Sequence, residues 1–110
     1  MDYTQILDEF EELIENDFQQ NKVEEKAFEL VNNLDNVWDI LRLASIIRWA
    51  PYESEDNAIE SALNITDRAI EKAVSEKNKT DLETIADELE MSMELDERAD
   101  EVKKIIDKIN

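Results

Sequence analysis

Apolar residues recur every three to four positions from the start of this chain. Tyr3, Ile6, Leu7, Phe10, Leu13, Ile14 and Phe18 would all fall on one side of an α-helix. Asp2 and Gln5, three residues apart, have the spacing of a capping box at its start. The same period resumes after Asn21, where Val23, Ala27, Leu30, Val31 and Leu34 predict a second inner face. A third helix is expected over 36–50, with Val37, Ile40, Ala44 and Ile47 inward. Pro51 ends it, because the residue before a proline is pushed out of helical geometry.

Ser54, followed by Glu55 and Asp56, marks the next start: serine caps, and the two acids suit the positive end of a helix dipole. This fourth helix can run to Lys77 on Ala58, Ile59, Ala62, Leu63, Thr66, Ala69, Ile70 and Ala73, with Asn64 and Thr66 as places for a kink. Asn78 is expected to close it in the left-handed conformation. Thr80 and Glu83 predict a capping box for a fifth helix with Leu82, Ile85, Ala86 and Leu89 inward. Asp96 is the expected cap of a sixth, which carries Val102, Ile105, Ile106 and Ile109.

Six amphipathic helices on short links predict an all-α domain over 1–110, either an antiparallel bundle or a short helical-repeat array of the α-solenoid kind. A weak internal repeat favours the array. A shift of 42 places Ala27 on Ala69, Val31 on Ala73, Asp39 on Asp81, Ile40 on Leu82, Leu43 on Ile85 and Ala44 on Ala86. A shift of 43 places Ile59 on Val102, Ala62 on Ile105 and Leu63 on Ile106. On this reading 1–20 is an added acidic helix, and 21–66 and 67–110 are degenerate repeat units.

Composition then removes whole classes of chemistry. With no glycine and one proline, tight hairpins and glycine-rich phosphate loops are excluded. With no cysteine and no histidine there is no thiol nucleophile, no disulfide, no imidazole base and no ligand set for structural zinc or haem, so no cofactor is expected. Thirty acids against 12 bases leave a net charge of −18, which repels nucleic acid and anionic membrane and attracts basic proteins. Such charge can signal disorder, but regularly spaced large apolar residues argue for a folded chain. No apolar run approaches a membrane span, and residues 1–20 are acidic where a signal peptide would be basic, so a cytoplasmic protein is expected.

Two surfaces are candidates for function. On the third helix Trp38, Arg42, Ser45 and Trp49 form one stripe away from the core stripe, and Arg48 and Tyr52 would extend it at the helix end. Either the first helix covers this stripe, or a partner does, since tryptophan, tyrosine and arginine are what interface hot spots are made of. Trp38 is expected to be buried and Trp49 partly exposed.

The second surface is acidic: Asp8, Glu12 and Glu15 on the first helix, and Glu83, Asp87, Glu90 and Glu94 on the fifth. Like charges at this spacing destabilise their own helix, so they stabilise nothing locally. They offer carboxylates at regular intervals to a basic partner, as an inhibitor or nuclease immunity protein that mimics nucleic acid does. The expected function is therefore a non-enzymatic protein binder that masks a basic partner. The alternative is a helical-repeat adaptor working through the aromatic stripe, with self-association as one form of it.

Glu9, Glu12 and Glu15, and Glu97 with Asp100, have a spacing similar to the ExxE and ExxD pairs with which all-helical nucleotide pyrophosphohydrolases hold magnesium. A chain this rich in acids produces about eight such pairs by chance. No phosphate-binding lysines stand out beside them, so neither a metal site nor an enzyme is expected.

Overall fold

The computed structural model describes residues 3–109, and among these it contains six helices and no strand. They are α1 (Thr4–Asn16), α2 (Gln20–Val31), α3 (Val37–Arg48), α4 (Glu55–Ser75), α5 (Lys79–Met91) and α6 (Asp96–Lys108). The all-α class is therefore as expected. The Asp2–Gln5 capping box lies outside the described residues.

Successive helices form three pairs joined by the links 17–19, 49–54 and 92–95. The links meet at one edge of the molecule. The Phe18 and Tyr52 rings lie 5.2 Å apart, the Trp49 indole donates to the Ser92 carbonyl at 2.7 Å, and Arg48 Nε donates to the Met93 carbonyl at 2.9 Å. Helix α3 packs against both α1 and α5, while α2 packs on α4. Odd-numbered helices thus make one layer and even-numbered helices the other, in a slab 45 × 32 × 19 Å. The α3–α4 and α5–α6 pairs begin 42 residues apart, at Val37 and Lys79, which is the shift that aligns their apolar positions. The 66/67 boundary falls within α4, a single helix of 21 residues that neither Asn64 nor Thr66 interrupts.

The core lies between the layers. Leu7, Phe10, Val23, Ala27, Ile40, Leu43, Ala44, Ile47, Ala62, Ala69, Leu82, Ile85 and Leu89 are all buried, as their spacing predicts. Leu41, Ile65, Met93 and Ala99 are buried too, and the periodicity did not single them out. Leu13 departs from expectation: at 44% exposure it stands outside the core, because α1 is an edge helix and only its Leu7, Phe10 and Ile14 stripe is covered.

Several helix ends differ in detail from the sequence reading. Ser54 occupies the N-cap of α4, but its side chain makes no cap hydrogen bond; Glu55 and Asp56 supply the first-turn charge. The left-handed residue after α4 is Lys77 (φ 54°), not Asn78, and its neighbour's N–H closes a Schellman turn on the Ala73 carbonyl at 2.9 Å. Asn78 is instead the N-cap of α5. Its Oδ1 accepts from the Asp81 amide at 3.0 Å while its Nδ2 donates to the Asp81 carboxylate at 2.8 Å, so this pair does the work expected of Thr80 and Glu83. Asp96 is the first residue of α6, whose N-cap is Leu95.

Candidate protein-binding face

The outer side of α3 begins with Asn36, whose side chain accepts from the Trp38 amide at 2.8 Å and sets the helix start. One turn on, the register turns Trp38, Arg42 and Trp49 away from the buried Ile40, Ala44 and Ile47. Both tryptophans are exposed, Trp38 at 59% and Trp49 at 52%. The expectation that α1 buries Trp38 is therefore wrong. Helix α1 lies beside this stripe and covers other residues of α3.

What α1 contributes is charge. Arg42 donates to the Asp8 carboxylate and lies 3.5 Å from a carboxylate oxygen of Glu11. The hydrogen bond to Asp8 is the main reason that the Arg42 guanidinium is held above its ordinary pKa. Two residues expected to face a partner, Asp8 and Arg42, thus face each other. Glu11, which the sequence reading passed over for Glu12, is the acid that lines the α1–α3 groove with Glu15. Its spacing contained the signal, since Glu11 sits at i+3 from Asp8 and i−4 from Glu15.

Arg48 and Tyr52 are corrections of another kind. Arg48 is 6% exposed. Its Nε holds the Met93 carbonyl, a terminal amino group lies 3.1 Å from the Glu55 carboxylate, and its guanidinium carbon sits 4.2 Å from the centroid of the Trp49 ring. It fastens the α3–α4 link to the α5–α6 link and is not free for a partner. Tyr52 turns inward against Phe18, and its hydroxyl oxygen is buried near Glu24 and Ser61. Those two bond to each other at 3.0 Å, and the phenol oxygen has no hydrogen-bond partner of good geometry among the described residues. Burial, opposed in part by Ser61 and reinforced by Glu24, pushes the Tyr52 pKa up to about 12.

Trp49 is shared between these roles. Its N–H is committed to Ser92, yet half of the residue remains in solvent. Met91, 81% exposed, is the residue just before the carbonyl that Trp49 holds, and it is the position onto which Trp49 falls at the shift of 42, on the side of α5 that the sequence makes mostly polar.

The acidic stripe of α5 reaches α6 through Glu90. Glu90 pairs with Lys103 of α6 at 2.9 Å, and this contact, followed by weaker contributions from Asp100 and Asp87, raises the Lys103 pKa. Glu94 adopts a left-handed turn (φ 57°) and lines a shallow groove with Ile59, Leu63 and the first residues of α6. Glu83, Asp87, Glu90 and Glu94 thus do not line the α1–α3 groove. Among the described residues no three carboxylates converge closely enough to hold a metal ion, and no helix is long and apolar enough to cross a membrane.

What remains is one composite face. It carries Trp38 and Trp49 on α3, with Glu11 and Glu15 of α1 beside Trp49; Glu12 does not line the groove. Between the helices runs a groove lined by Glu11, Ile14, Glu15, Arg42, Ser45, Ile46 and Trp49. No protein-family model matches this chain, and no curated protein or solved structure matches it significantly.

Proposed function

We propose that this chain is a cytoplasmic, non-enzymatic protein-binding module that engages a basic protein through the α1–α3 face and masks it. A nuclease or another nucleic-acid-binding protein is the partner class that the charge suits. The observation that carries this reading is the juxtaposition of an exposed indole with carboxylates: Trp49 shares a groove with Glu11 and Glu15, and among the described residues Arg42 is the one cation lining it. Each component has a distinct task. Carboxylates raise the rate of encounter with a positive surface and select against acidic partners. Desolvating a tryptophan at the centre of the contact supplies the affinity. The proposed contact joins the electrostatic mask and the aromatic interface in one surface.

Self-association is the second reading, since Trp38, Trp49 and Met91 are all exposed. A net charge of −18 on each copy opposes it. The test is recovery of partners from host cells at 50 and 300 mM salt, with the wild-type chain and with a Trp38→Ala, Glu15→Gln variant. The expected result is a basic protein held by the wild type at low salt, weakened at high salt and lost with the variant. Retention of the same proteins by the variant would sink the proposal, and a salt-insensitive dimer in sedimentation would favour self-association.

A further inference from the structure

The α1–α3 groove has a more specific chemistry than the face around it. Buried Ile14 and half-buried Ile46 form its apolar floor, and the exposed part of the Trp49 ring forms a wall. Glu11 and Glu15 stand on the α1 side, and Arg42 closes the other end. We propose that this groove takes one arginine side chain of the basic partner. Its aliphatic stem would lie on Ile14 and Ile46, and its guanidinium between the Trp49 ring and the Glu15 carboxylate. This inference deepens the function proposed above and rests on it.

The charges inside the groove say where the cation goes. Glu11 is already engaged by Arg42, whereas Glu15 makes no hydrogen bond or ion pair with any described residue. Arg42 repels an incoming cation from its own end of the groove, which leaves the end at Trp49 and Glu15. The electron-rich ring suits a guanidinium there, and one face of it already accepts the guanidinium of Arg48 at 4.2 Å. Arg48 does not repel the newcomer with its full charge, because Glu55 lies 3.1 Å from it. An apolar floor favours a long side chain that lays its methylenes down and keeps its charge at the rim. Arginine fits better than lysine, because a planar guanidinium stacks on the indole and can present two N–H groups to one carboxylate, which a compact, strongly hydrated ammonium cannot.

The probes are acetylated nona-arginine and nona-lysine, which carry equal charge, titrated into a Trp38→Phe protein so that Trp49 is the sole tryptophan and can be excited selectively over Tyr3 and Tyr52. Both peptides should bind with strong salt dependence. Only nona-arginine should quench and shift Trp49 emission, and it should bind more tightly at 150 mM salt. Glu15→Gln in the same background should weaken nona-arginine about threefold, more than Glu83→Gln, an exposed acid of α5 that does not line the groove. Binding of both peptides with Trp49 emission unmoved, or with equal losses in the two glutamine variants, overturns the groove and leaves the basic-partner reading intact. Equal affinity and equal quenching by nona-lysine overturns the assignment to arginine. Failure of both peptides to bind the wild-type chain at 50 mM salt removes the groove and the basic-partner reading together.

Discussion

Replacing Arg48 with methionine should be among the costlier single changes outside the apolar core. Methionine keeps most of the buried stem but removes every polar contact, so the loss isolates the guanidinium. Its hydrogen bond to the Met93 carbonyl is charge-assisted and buried, a class worth about 1.5–3 kcal/mol. The pair with Glu55 adds little, about 0–1 kcal/mol, because Glu55 is 70% exposed. The stacking on Trp49 adds about 0.5–1 kcal/mol. Together these give about 3 kcal/mol, a large fraction of the ~5–15 kcal/mol that holds a domain together. Urea unfolding followed by circular dichroism at 222 nm measures it directly, provided the slope of the transition is unchanged. Glu55→Gln should cost no more than about 1 kcal/mol in the same assay. An Arg48→Met loss below about 1 kcal/mol, or a Glu55→Gln loss as large as that of Arg48→Met, would refute the argument that Arg48 fastens the links.

Leu7→Asp should strip α1 from the fold and lower the helical signal, because Leu7 is fully buried against the rest of the core, whereas Leu13→Asp should leave α1 docked and the transition cooperative. Both tryptophans should emit in the red and be quenched by acrylamide in the free protein, and Trp38→Ala should change stability by no more than about 0.5 kcal/mol. Asn78→Ala should cost about 1 kcal/mol through loss of the α5 cap. The Tyr52 phenol holds its proton more tightly in the folded state than the ordinary value of 10 in the unfolded chain. Stability should therefore fall as pH rises from about 10 to 12, where only the unfolded state has released that proton, and Tyr52→Phe should flatten this part of the profile.

The six helices were legible because each places a full apolar stripe against the core, and a stripe of that width survives ignorance of what it packs on. The edge of the stripe is less secure. Leu13 and Trp38 have the right spacing, but nothing in a helical period says that α1 is an edge helix covering only part of α3. Arg48 is the more instructive case. It lies at i+7 from Leu41 and i+4 from Ala44, within the buried sector, and its charge argued against a position that its register had assigned correctly. No local pattern points to Met93, which is buried because distant links meet. At Asn78 the right residue was noticed and given the wrong job, since asparagine serves at either end of a helix. For the candidate site the acids and tryptophans were visible individually. Their pairing across α1 and α3 depends on a contact between residues about 34 positions apart, Asp8 and Arg42, which no local pattern contains.

That pairing makes the groove a property of how α1 sits on α3. In a stack where each hairpin touches only its neighbours, the terminal hairpin is free to detach while the rest stays folded. Detachment would carry Glu11 and Glu15 away from Trp49, so the open form has no groove to offer. A ligand in the groove must then act as a clamp, slowing amide hydrogen exchange throughout α1 by the factor in which it favours the docked form. Protection of the terminal helix would thus serve as a gauge of occupancy.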